Sequence, residues 1–194
     1  WRWVLAYGGG QMLDWIGHHG DIAHWGMGCD YTGPVKIKPI MVTYPTSGLW
    51  DAPIHYKSEC TYKNGVKMIV ADKANTSRGM GTKFIGENGE WIHCSRRGLW
   101  ASDPKILQSV IQPHETRLYK CTDHWGNFYD CMKSRKQTIT PIEVAHRSAS
   151  IAHLCAIALQ TGQTLSFNPD NETILNNPKA SAMLNRAYRA PYTL

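Results

Sequence analysis

Gly8–Trp25, GGGQMLDWIGHHGDIAHW, is the stretch from which the rest of the chain is read. Three glycines precede a helix predicted from about Met12 to Gly26. On it, Asp14, His18, Asp21 and Trp25 recur at i, i+4, i+7 and i+11. At about 100° per residue they share a stripe roughly 60° wide. Leu13, Ile16, Gly20, Ala23 and Met27 form a second stripe on nearly the opposite side. One face can bury itself in a core. The other presents two carboxylates, an imidazole and an indole, a set better suited to the wall of a cleft than to open solvent.

Asp14 and His18 are the strongest candidates for chemistry. A carboxylate one helical turn from an imidazole is the pairing that general acid–base catalysis uses on a hydroxyl. The plain alternative is a capping or core hydrogen bond. His19 and His24 fall off the polar stripe, and a structural role is the simpler reading of each. His124-Trp125 and His146-Arg147 are secondary candidates that could line a cleft if their helices pack beside the first. Trp91 and Trp100 read as core.

Upstream of this helix, Trp1 to Tyr7 looks extended. Downstream, Asp30 to Pro34 is a turn and Val35 to Tyr44 alternates as a strand. His55 to Tyr62 and Val66 to Ala71 flank Asn64-Gly65, a strong hairpin signal. Gly81 to Gly86 and Glu90 to Ser95 read as a second hairpin. Short helices follow at Pro104 to Ile111 and His124 to Ser134, the latter capped by Asp123. A long helix is predicted to Thr161, with Thr140 as N-cap, Pro141 at the first position, Glu143 completing a capping box and Gly162 as the stop. Leu165 to Phe167 is read as a short strand, and a last helix covers about Pro178 to Tyr188. Helix, then strands, then helices is an α+β order. The expectation is one open, mostly antiparallel or mixed sheet with helices on one face, forming a single domain over residues 1–194.

The 194 residues are 42% hydrophobic and 19% charged, a globular balance with no run long enough to span a bilayer. The formal charge is +6. Only Lys133 to Lys136 forms a dense basic patch in sequence, so the clustered stripe of a nucleic-acid binder is missing. The six cysteines make no CxxC pair and read as reduced thiols, with no metal site expected. No GxGxxG after a strand and no GxxxxGK occurs, so Gly8 to Gly10 is at most a weak sign of cofactor contact. The chain starts WRW, which suggests that further sequence, and any targeting peptide, lies upstream.

Three runs carry a resemblance: WRWVLAYGGGQMLDWIGHHGDIAHWGMG, DHWGNFYDCMKSRKQTITPIEVAHRSASIAHL and FNPDNETILNNPKASAMLNRAYRAPY. They resemble the C-terminal part of the Gfo/Idh/MocA oxidoreductases, most nearly a bacterial subgroup often encoded with export signals. The resemblance implies a two-domain protein whose N-terminal Rossmann domain, absent from this chain, binds NAD or NADP and carries a catalytic lysine. It places the family's Asp-x3-His pattern on Asp14 and His18. There the histidine exchanges a proton with the substrate hydroxyl and the aspartate orients both.

The function so implied is the substrate-binding and catalytic half of an NAD(P)-dependent dehydrogenase of a sugar, cyclitol or related polyol. Asp21, Trp15, His19, His124 and Arg147 are substrate-binding candidates, and Gly9 and Gly10 cofactor-binding ones. A homo-oligomer through the sheet is expected, in the cytoplasm or exported to the periplasm. One rival keeps the fold but cleaves glycosidic bonds by transient oxidation and elimination with a recycled nicotinamide. Another is a non-catalytic domain that binds carbohydrate or a protein partner.

Overall fold

The computed structural model describes residues 1–193. Helix α1 spans Gly10–Met27, between Gly9 (φ 68°) and Gly28 (φ 64°), both in the left-handed region where a side chain is disfavoured. Its two stripes separate as the periodicity predicts. Ile16, Gly20 and Ala23 are buried, whereas Asp14 and His18 are exposed. Trp1 to Tyr7 is turned rather than extended. The Val4 carbonyl accepts from the backbone N–H groups of Tyr7, Gly8 and Gly9, a tight winding that glycines permit.

Strands β1 (Lys36–Thr43), β2 (His55–Thr61) and β3 (Lys67–Ala71) follow, then a 3-10 turn at Lys73–Asn75. Next come β4 (Thr82–Ile85), β5 (Trp91–Ser95) and β6 (Gly98–Ala101). Helices α2 (Pro104–Leu107), α3 (His124–Ser134) and α4 (Ile142–Thr161) precede β7 (Leu165–Asn168), β8 (Thr173–Ile174) and α5 (Pro178–Ala182). The single predicted sheet is in fact two. One has five strands in the order β3-β2-β1-β7-β8, the other three in the order β4-β5-β6. Every strand pair is antiparallel. The class is therefore α+β, and no parallel βαβ unit of the Rossmann type occurs among the described residues.

Helix α4 lies against β1 and β2, and α1 packs beside α4. Alternation in β2 sends Tyr56, Ser58 and Cys60 inward, and the Cys60 thiol meets that of Cys155 on α4 at 3.5 Å. Ile37, Ile151, Leu154 and Leu165 fill the space between helix and sheet and are almost wholly buried. Each such side chain contributes about 1.5–3 kcal/mol by leaving water.

Three local expectations need correction. Helix α4 begins one residue late, with Pro141 at the N-cap position and no side-chain cap. Glu143 does not close a capping box, because its carboxylate is taken by Arg147 Nε at 2.7 Å. Strand β6 and the two-residue β8 carry too few residues to show a period. The last helix stops at Ala182, well short of Tyr188. No helix among the described residues is long and apolar enough to cross a membrane.

Candidate functional site

One flank of α1, between its exposed and buried stripes, carries Trp15 and His19. The small sheet is fastened here, since the Thr82 hydroxyl at the start of β4 donates to the His19 carbonyl at 2.6 Å. That bond sets β5, β6 and their connection over the helix. Ser95 of β5 pairs with Gly98 of β6, so Arg96 and Arg97 form the tip of a two-residue turn. The Arg96 guanidinium lies 4.7 Å from the Trp15 ring centre. Its Nη2 is 3.2 Å from His18 Nε2. Arginine can only donate, so His18 Nε2 is the acceptor.

A third wall comes from the loop after β3. Asp72 anchors it, accepting from the backbone N–H groups of Tyr56 and Ala74 (both 2.9 Å) and from Asn75 Nδ2 (2.6 Å). Lys73, Arg78, Gly79 and Met80 follow along this loop and reach the same space. Helix, turn and loop enclose a cavity of about 520 Å³. Trp15, His19, Arg78, His93 and Arg96 line it, and Trp100 of β6 closes one side with its ring 5.8 Å from that of His93. A second groove of about 590 Å³ continues from it between α1 and β3.

The cavity is electropositive. Burial lowers the pKa of His19, and His18, Arg96 and His93 lower it further. Burial likewise lowers that of His93, with Arg78 and Lys83 acting in the same direction and a backbone hydrogen bond at Met80 opposing them. Both imidazoles are thus held toward their neutral forms. The buried His93 Nδ1 has no hydrogen-bond partner.

The residues singled out in the sequence fall in several places. Asp14 and His18 share the exposed stripe but do not bond to each other; Asp14 Oδ2 instead pairs with Arg2 Nε at 3.2 Å. Trp15 and His19 line the cavity. Asp21 faces α4, where its carboxylate accepts from the buried Ser148 hydroxyl at 2.7 Å. Arg147, next to Ser148 on α4, bonds Glu143 of the same helix and ties α4 to the β7–β8 turn through Glu172 and the Pro169 carbonyl. His124 is exposed at the start of α3, behind the Asp123 cap. Gly9 and Gly10 are buried, and the space above them is filled from within the chain. A Cβ on Gly9 would meet Leu13 at 2.7 Å, and one on Gly10 would meet Ala52 at 2.8 Å. These contacts account for both glycines by packing. His24 is wholly buried, and its Nε2 bonds the Tyr62 hydroxyl at 2.6 Å.

Lys73, Arg78, His93, Arg96 and Arg97 escape the sequence reading. They lie on segments predicted as loop or hairpin, with no spacing that links them to the helix. The Arg96-Arg97 pair between two apolar runs was the available signal.

Compared with known proteins, the chain matches the family described as "Oxidoreductase family, C-terminal alpha/beta domain" over residues 1–194. The chain belongs to the Gfo/Idh/MocA oxidoreductase family. Among solved structures, this member is similar to an NAD-binding protein from Listeria innocua. That match has 17% identity and a TM-score of 0.54, over 86% of this chain and 50% of the other. It is also similar to an oxidoreductase from Agrobacterium radiobacter in complex with NAD+, L-tartaric acid and magnesium. That match has 14% identity and a TM-score of 0.42, over 76% of this chain and 46% of the other. The chain thus spans about half the length of the structures it matches. At 17% identity the Listeria innocua likeness speaks for the fold alone. No curated protein matches significantly.

Proposed function

We propose that this chain is the substrate-binding and catalytic half of an NAD(P)-dependent oxidoreductase. It acts on a hydroxyl or ketone of a sugar, cyclitol or related polyol. One observation carries the reading: His18 stands exposed, one turn from Asp14, with its Nε2 lone pair turned to a guanidinium at the lip of a cavity of about 520 Å³. That volume suits a small polar ligand.

A substrate hydroxyl that takes the place of the guanidinium gives its proton to Nε2 as the carbon is oxidised. In the reverse direction the imidazolium returns it. Asp14 lies on the same stripe, and release from Arg2 frees its carboxylate to orient the imidazole or a neighbouring hydroxyl. Trp15 and His19 wall the ligand. Asp21, Arg147 and His124 are left outside this centre, since the first two are committed to α4 contacts and the third sits on another helix.

A nicotinamide cofactor, NAD or NADP, supplies the hydride chemistry when bound. At Gly9 and Gly10 themselves, Leu13 and Ala52 fill the space from within the chain. The arrangement fits a cofactor held mainly by another domain that covers the exposed face of α1. A homo-oligomer, assembled through the sheet face turned away from α4, belongs to the same reading.

The test uses the protein together with its cofactor domain. His18→Ala lowers turnover by about 10²–10⁴-fold, the usual worth of a positioned general base, and leaves cofactor affinity unchanged. Turnover that survives the substitution overturns the assignment.

A further inference from the structure

The charge of the cavity is one-sided. Four cations, Lys73, Arg78, Arg96 and Arg97, line it, and no aspartate or glutamate does. Among the described residues none of the four has a salt-bridge partner. Asp72, in the adjoining groove, pairs with none of the four; its oxygens bond Tyr56, Ala74, Asn75 and His55. The chain carries a formal charge of +6, and folding gathers this unpaired part of it in one concave place.

The guanidinium groups are also held. The Arg78 group lies 4.1 Å from the Trp91 ring centre and the Arg96 group 4.7 Å from that of Trp15. An indole against a guanidinium leaves its N–H edge to other partners; Arg96 gives one N–H to His18, and the remaining edges match the two oxygens of a carboxylate or phosphate. Stacking fixes the arginines before a ligand arrives, so less side-chain freedom is lost on binding. The His19 ring, held toward its neutral form, is available to a hydroxyl.

We propose that the cavity beside His18 binds an anionic oxygen group, carboxylate or phosphate, carried by the polyhydroxy substrate. The substrate class is then a sugar acid or sugar phosphate rather than a neutral sugar. Its link to catalysis rests on the function proposed above; the anion site itself does not.

Calorimetry on the full chain at low salt, with glucose, glucuronate and glucose 6-phosphate, tests this. At least one anionic sugar binds about tenfold or more tightly than glucose, the worth of one charge-assisted hydrogen bond. Whichever of the two binds identifies the anion. Arg78→Gln and Arg97→Gln each remove about tenfold of that preference. Lys136→Gln, which removes the same charge from an exposed position elsewhere, leaves it intact. Equal binding of all three sugars overturns the proposal. So does a Lys136→Gln effect equal to that of Arg78→Gln, which would reduce the preference to net charge. Melting curves of the variants confirm that they fold. The anion preference is read from binding to the chain alone and the His18→Ala effect from turnover, so failure of the catalytic assignment and failure of the anion site are separately visible.

Discussion

At the scale of single residues, two histidines six positions apart on α1 have opposite surroundings. His18 meets solvent and a guanidinium. His24 is sealed against Tyr62, and its Nδ1 has no partner. Burial lowers the His24 pKa from 6.5 to about 4, with Asp21 pulling weakly the other way. A histidine whose folded pKa lies below its unfolded value favours folding while neutral. That stability is complete above pH 6.5 and is lost as pH falls toward about 4, and the difference amounts to about 3 kcal/mol. Denaturant unfolding measured across this window shows a decline in the native protein. His24→Gln, which cannot titrate, flattens it. An unchanged pH slope in the variant counts against the assignment. The sequence distinguished these histidines by angle around the helix, because burial follows the stripe a residue occupies. It could not show that Asp14 would turn to Arg2, or that Asp21 would bond Ser148, since both partners arrive from distant segments.

At the scale of elements, the loop after β3 depends on Asp72. Burial pushes its carboxyl pKa up, but hydrogen bonds from Tyr56, Asn75, Ala74 and His55 outweigh this, and the net shift is down. A depressed carboxylate stabilises the fold above its unfolded pKa, and that contribution disappears as pH drops through the lower folded value. Asp72→Asn keeps the shape but turns an N–H donor toward other donors. It costs about 2–4 kcal/mol, read as a lower melting temperature. Amide exchange speeds up at Ala74 and Asn75. Neither change would follow if the loop were held by its own backbone.

Both hairpins around Asn64-Gly65 and Glu87-Asn88-Gly89 were legible because glycine supplies the positive φ of the turn, 85° at Gly65 and 87° at Gly89. The Arg96-Arg97 turn has no glycine at its tip, only Gly98 after it (φ 143°), and spacing alone does not mark it. The capping box at Thr140 failed for the complementary reason. Glu143 pairs instead with Arg147, which also bonds Glu172 and the Pro169 carbonyl.

At the scale of the whole molecule, the large sheet has an outer face on which Met41 and Ile69 lie among Lys38, Lys57, Glu59 and Lys67. Met41 is opposite Lys57, and Ile69 is opposite Glu59. If this face joins a second copy, Ile69→Lys shifts the chain to monomer in light scattering without lowering its melting temperature. A native chain that is already monomeric at high concentration overturns the assembly.

What the sequence determined by itself was local and periodic. It set the stripes of α1, the glycine turns, the Asp123 cap, the Gly162 stop and the α+β order, since each depends on residues a few positions apart. It also carried the family resemblance. Tertiary structure decided that the strands divide into two sheets and that the loop after β3, the Arg96-Arg97 turn and one flank of α1 meet around a single cavity. Periodicity names the face a residue occupies, but only packing chooses what stands opposite. Here that choice brought unpaired arginines beside an exposed imidazole.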